Sequence, residues 1–183
     1  MYSNRLEANL YKLIPILFAI LWPVKSHDLI PQTFGIASFG GYHTGIDILV
    51  PVNTPVFAVC KGTVVLNNTD FPFTTAFAAY WNSFVIIEHD CNGNKVFGYY
   101  GHISANVGVS AKVKSGQVIG YVVLAKSITD KVTPVGVDRP SNTHLHFSMN
   151  KKLLTSRWGY EFTEQSLIKA GWLDPMLYLN MSN

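Results

Sequence analysis

The chain predicts an all-β domain with long loops and one short helix near its C-terminus, and three observations carry that prediction. It is 48% hydrophobic, 13% aromatic and only 14% charged, a balance that favours a folded, β-rich core over disorder. From Ile30 onward the apolar residues come in short runs separated by glycine and proline, which is the punctuation of strands and turns. Near the end, Thr163 is a plausible N-cap for Glu164 to Ala170 and Gly171 a natural stop. The 183 residues suffice for one domain with a real core and at most an appendage.

The first segment is ambiguous. Residues Leu13 to Val24 are apolar and follow Arg5 and Lys12, so residues 1–21 read as a signal peptide or hydrophobic leader. The run is shorter than the ~20 residues that span a bilayer, and its expected partnership with membrane is association only. Glu7 and the poor cleavage site at Val24-Lys25-Ser26 count against export by this segment. In the competing reading Trp22-Pro23-Val24 is the first strand of a domain covering residues 22–183.

Further along, Pro31 to Gly41 is glycine-rich and reads as loop more than strand. A strand at Ile46 to Val50 is followed by a turn at Pro51 to Pro55, then by strands at Val56 to Cys60 and Gly62 to Leu66. Asn67 to Trp81 lacks a clean period and reads as a long loop with a helical turn. Phe84 to His89 and Lys95 to Tyr100 form a hairpin across Asp90 to Asn94, with His102 just beyond its end. Val113 to Val123 is another turn and strand, and Lys126 to Thr143 a second long excursion; both excursions suggest functional rims. After a strand at His144, Lys151 to Phe162 reads as a short hairpin or loop leading to the helix.

The formal net charge of +3 is mild. It suits either a solvated lysine face or an anionic surface such as a cell wall, and no nucleic-acid motif accompanies it. Cys60 and Cys91 are too few for a disulfide framework. They read as two unpaired small residues, with pairing the alternative in an oxidising compartment.

Two histidine-bearing stretches stand out, His43-Thr44-Gly45-Ile46-Asp47 and His144-Leu145-His146. Histidine and aspartate suit a borderline divalent cation, and a catalytic zinc needs three protein ligands and an open position. In an extended strand His43 and Asp47 would lie about 13 Å apart, so the backbone between them must bend, and Gly45 sits where glycine would help. His144 and His146 share a strand face about 7 Å apart, so one can bind an ion while the other stands beside a substrate.

Six blocks in order resemble the lysostaphin-like zinc metallopeptidases: Phe39-Gly40; His43-x-Gly45-x-Asp47; Pro55-Val56-x-Ala58 with Gly62-x-Val64; Tyr100-Gly101-His102-Ile103; Gly116-Gln117-x-Ile119-Gly120; and His144-Leu145-His146-Phe147. Asp174-Pro175 near Tyr178-Leu179 is also similar to how such domains end. The resemblance spans roughly Trp22 to Leu179 and implies a mainly antiparallel β-sheet sandwich crossed by a groove. It implies one zinc ion held by His43, Asp47 and His146, with His102 and His144 as catalytic histidines that are not ligands. The implied function is a zinc endopeptidase acting outside the cytoplasm, in periplasm, envelope or medium, on peptide bonds of peptidoglycan stem peptides or cross-bridges. Two rivals are a non-catalytic module of the same fold that binds wall or regulates an amidase, and a D-Ala-D-Ala-type carboxypeptidase.

Outside those blocks the histidines read differently. His89 closes a strand and reads as structural, and His27 lies in the leader. Glu88 reads as an exposed strand residue, Tyr100 as packing at a strand end, and Asn142 as a loop residue satisfying its own turn. Valines replace the expected glycines between Tyr121 and Thr143, and Ala37 stands where some relatives of lysostaphin have tyrosine. Both departures weaken any transfer of glycyl-glycine preference.

Overall fold

The structure, a computed structural model, describes residues 20–25, 30–38, 41–68, 83–123, 143–154 and 159–179. Residues 1–19 of the leader, His27, most of both long excursions and Asn142 lie outside them.

Thirteen short strands are present among the described residues. They are β1 (Ala37–Ser38), β2 (Gly41–His43), β3 (Gly45–Leu49), β4 (Pro55–Phe57), β5 (Lys61–Asn67), β6 (Phe84–Cys91) and β7 (Asn94–Gly101). They continue with β8 (Ile103–Ala105), β9 (Lys112–Val113), β10 (Val118–Val122), β11 (His144–Asn150), β12 (Tyr160–Glu161) and β13 (Trp172–Leu173). The single α-helix among the described residues, α1 (Glu164–Ala170), runs between β12 and β13, and a 3-10 turn, Pro175–Leu177, follows. Every pairing between these described strands is antiparallel, as the sequence predicts, and an isolated bridge between Ile20 and Leu179 is parallel. Thr163 caps α1 by accepting from Ser166 N, and Gly171 ends it in the left-handed region at φ 89°.

The largest sheet runs β13–β11–β7–β6–β5–β9, with β3 also paired to β11. Smaller sheets are β4–β10–β8 and β1–β2–β12. Alternation along the central strands covers the large sheet on both faces. Val85, Ile87, Tyr100, Leu145 and Phe147 meet Val56, Ile103 and Ile119 of the smaller sheet in the main core. Phe84, Ile86 and Tyr99 point the other way, onto Leu167 of α1 and Trp172. The β6–β7 hairpin turns at Asn92 and Gly93, whose φ values of 56° and 86° are those of a two-residue primed turn. That turn is tighter than the five-residue one expected.

Several expectations change. Cys60 and Cys91 are joined in a disulfide, their Cα atoms 5.4 Å apart, so the unpaired reading is corrected. The cause lies in the sheet: Lys61 pairs with Asp90 across β5 and β6, bringing the two neighbouring cysteines level. Trp22-Pro23-Val24 is no strand; it lies beside β4, with Leu21 N donating to Val59 O at 3.1 Å and Phe57 N to Pro23 O at 2.8 Å. Ile20 is already within the fold, its N donating to Tyr178 O at 2.8 Å. The approach to His43, expected as loop, supplies β1 and the start of β2.

Candidate active site

Register explains how residues a hundred positions apart meet. On β11, His146 is level with Asp47 of β3 on one side and with Gly101 of β7 on the other. Asp47 and His146 are therefore direct cross-strand neighbours, and the residue after Gly101, His102, arrives at the same point. Thr44 breaks the path between β2 and β3, its N bonded to Gly159 O at 2.8 Å, so that His43 turns back towards Asp47. Gly45 is required by close approach. A Cβ there would lie 2.2 Å from Phe147 O and 2.6 Å from Ser148 Oγ. The expectation that glycine enables the bend thus acquires a second cause, contact with β11.

His43 Nε2, Asp47 Oδ1 and His146 Nδ1 converge. The separations are 3.0 Å between the two ring nitrogens, 2.9 Å from His146 to Asp47 and 3.3 Å from His43 to Asp47. The outer ring nitrogens are also engaged: His43 Nδ1 donates to Thr33 O at 3.3 Å, and His146 Nε2 lies 2.5 Å from Ser148 Oγ. With protons on those outer nitrogens, two imidazole lone pairs and a carboxylate oxygen face one point. Ligand atoms on a tetrahedron with bonds of 2.0–2.1 Å are about 3.3 Å apart, so this donor set fits one zinc ion.

The ligand candidates are sealed from solvent, with relative exposures of 0% for His43, 7% for Asp47 and 3% for His146. His144 is the open one, its side chain 22% exposed and its Nε2 3.7 Å from Asp47 Oδ1. His102 is buried, packs edge-on against His144 with centroids 4.5 Å apart, and holds its backbone at φ 61°. All five residues named by the resemblance are thus in one cluster.

Burial shapes the electrostatics. Desolvation by burial would by itself raise the Asp47 carboxyl, but its hydrogen-bonding contacts with His146 and His43, and the electrostatic influence of His146 and His144, hold it well below the usual carboxylate range. Burial pushes His146 down to about 4 and His102 well below the ordinary histidine value, with neighbouring histidines adding to both. These rings are neutral at neutral pH, the state in which imidazole offers a lone pair.

The remaining assignments are as follows. His89 is structural: its Nδ1 donates to Cys60 O at 2.9 Å and its Nε2 accepts from Tyr100 Oη at 2.7 Å. Tyr100 is fully buried and also accepts from Val59 N at 3.1 Å. Glu88 pairs with Lys95 at 2.7 Å. Sequence reasoning missed Thr33, Thr44, Ser148 and Tyr160, the last with its ring centroid 5.3 Å from that of His43. Ser148 was within reach, because on a strand of period two it shares a face with His144 and His146.

No curated protein sequence matches the chain. Its structure is similar to that of Helicobacter pylori Csd3, at TM-score 0.56 and 20% identity over 90% of this chain and 34% of that one. It is similar to a zinc-containing peptidase from Vibrio cholerae, at TM-score 0.52 and 21% identity over 72% of this chain and 36% of that one. The catalytic domain of the antimicrobial peptidase lysostaphin from Staphylococcus simulans matches at TM-score 0.50 and 21% identity, over 81% of this chain and 89% of that domain. The chain thus spans about a third of the length of the first two proteins. The profile described as peptidase family M23 matches residues 41–157, a stretch that takes in His43, Asp47, His102, His144 and His146, and this chain belongs to peptidase family M23.

Proposed function

We propose that the chain is a zinc-dependent endopeptidase that hydrolyses peptide bonds in bacterial peptidoglycan, in stem peptides or cross-bridges, outside the cytoplasm. The observation that carries this reading is the convergence of His43 Nε2, Asp47 Oδ1 and His146 Nδ1 beside the His102–His144 pair. Zinc, when bound, supplies Lewis acidity towards water and towards a peptide carbonyl.

The chain's own residues supply the rest. His43, Asp47 and His146 would hold the ion, and with a single carboxylate the loaded site would keep a net positive charge for oxygen ligands. His144, on the open side, faces an arriving peptide, and His102 packs behind it. Between them these two imidazoles take a proton from water and steady the charge developing on the carbonyl oxygen. The Cys60–Cys91 bond supports an oxidising, extracytoplasmic location. The mild positive charge suits an anionic wall.

Purified protein incubated with zinc and murein sacculi should release cleaved muropeptides, and chelation should stop the release. A protein that binds no zinc and releases no fragments overturns the reading and leaves the wall-binding module in its place, and a His146→Ala variant that cleaves like the parent overturns the assigned metal site.

A further inference from the structure

His146 makes a contact that neither the metal set nor the histidine pair uses. Its Nε2 lies 2.5 Å from Ser148 Oγ, and Ser148 Oγ lies 3.3 Å from Thr44 Oγ1, which accepts from Gly159 N at 2.8 Å. Ser148 and Thr44 are both fully buried, so no water competes for these bonds. When Nδ1 holds an ion, the His146 proton must sit on Nε2, where Ser148 Oγ accepts it, while Thr44 Oγ1 accepts from Gly159 N and either hydroxyl of the Ser148–Thr44 pair can donate to the other. These contacts hold the ring with Nδ1 facing Asp47 and His43.

The placement adds a side-chain link to elements that the β3–β11 and β2–β12 pairings already bring together. Thr44 follows His43 directly, Ser148 lies two residues beyond His146 on β11, and Gly159 precedes β12. The hydroxyl pair therefore links the two ligand-bearing segments to each other and to the segment that enters β12. Only a glycine at position 45, opposite Ser148 in the β3–β11 register, leaves room for the serine hydroxyl.

We propose that Ser148 and Thr44 are positioning residues for the metal site, holding the His146 ring with Nδ1 turned towards Asp47 and His43, locking the His43 segment to β11, and receiving the ring proton at Nε2 once an ion binds. The proposal rests on the zinc reading given above. Partners of this kind fix ring orientation and tautomer, and their loss typically weakens metal affinity about 10- to 100-fold.

The test measures zinc affinity by competition with a chromophoric chelator in four full-length proteins: parent, Ser148→Ala, Thr44→Val and Thr44→Ser. Their melting curves are recorded, and the His146 imidazole is followed by nitrogen NMR in the zinc-loaded state. Ser148→Ala should lose about 10- to 100-fold in affinity, together with the slowly exchanging Nε2–H signal. Thr44→Val should lose less, and Thr44→Ser, which keeps the hydroxyl, should match the parent. If the parent binds zinc and Ser148→Ala and Thr44→Val bind it equally well, or if the Nε2–H signal survives in Ser148→Ala, the positioning role is wrong while the zinc reading stands. A parent that binds no zinc overturns both. Should Ser148→Ala fail to fold, the contrast between Thr44→Val and Thr44→Ser decides alone.

Discussion

Replacing Gly45 by alanine tests the link between strand pairing and site geometry. The added Cβ would sit 2.2 Å from Phe147 O and 2.6 Å from Ser148 Oγ, and the nearer atom is backbone. Ordinary contact distances for carbon lie near 3.5–4.0 Å, so β3 and β11 must separate by roughly an ångström, since no side-chain rotation relieves a clash with a carbonyl. Overpacking of this kind costs about 1–3 kcal/mol, and a rigid obstacle puts this site at the upper end. For a chain of this size that corresponds to a fall in Tm of roughly 6–12 °C. The functional effect is sharper, because two candidate ligands lie on the His43–Asp47 side of the seam and one on β11. Separating the strands by that amount would stretch the 2.9 Å gap between His146 and Asp47 beyond the about 3.3 Å that one tetrahedral ion spans. Calorimetry for stability and chelator competition for zinc affinity read both effects on the same preparation. An alanine variant that melts with the parent and binds zinc as tightly would refute the reasoning.

Other predictions follow from the same structure. Reduction of Cys60–Cys91, which closes a loop of 31 residues, should remove about 3–4 kcal/mol on the chain-entropy account and lower Tm by roughly 6–16 °C, while a Cys60→Ala/Cys91→Ala variant should ignore the reductant; a fully reduced protein with unchanged Tm contradicts this. Burial holds His89 at about 4 against an ordinary 6.5, so between these values the unfolded chain binds more protons, and the stability His89 confers is complete above pH 6.5 and lost as pH falls towards 4. Denaturant titrations should accordingly find the parent losing roughly 2–3 kcal/mol more than His89→Phe between pH 7 and 4.5; parallel profiles would rule out a neutral buried His89. Tyr100→Phe removes the partner of both His89 Nε2 and Val59 N and should cost about 2–5 kcal/mol, readable as a lowered denaturation midpoint at unchanged slope. Stripping zinc from a protein held at a thousandfold excess over Kd should lower stability by about 4 kcal/mol, and identical melts with and without chelator would speak against a bound ion.

Much of the site was legible as text because its residues sit in tight local motifs. His43, Gly45 and Asp47 share one short segment, His144 and His146 one strand face, and His102 follows a hairpin strand whose partner is easily found. The long excursions carried no such period, and their expected roles as rims rest on length alone. Other misreadings share a cause. The pairing of Cys60 with Cys91 depends on the β5–β6 register, which no spacing within the chain specifies. Trp22-Pro23-Val24 was weighed as a strand because it is apolar, yet it makes only scattered backbone bonds beside β4.

By itself, then, the order of residues determined the strand-and-turn character of the chain, the capped helix at Glu164–Ala170 and the identity of the candidate donors, since each depends on periodicity or residue chemistry within a few positions. What only the tertiary structure decided is which donors are neighbours. His146 meets Asp47 and Gly101 because β11 pairs with both β3 and β7 in one register, and Ser148 reaches Thr44 through that same pairing. Register is set by the burial of whole strand faces, which is a sum over the entire sheet, and a slip of one residue would turn every candidate ligand on β11 to the opposite face.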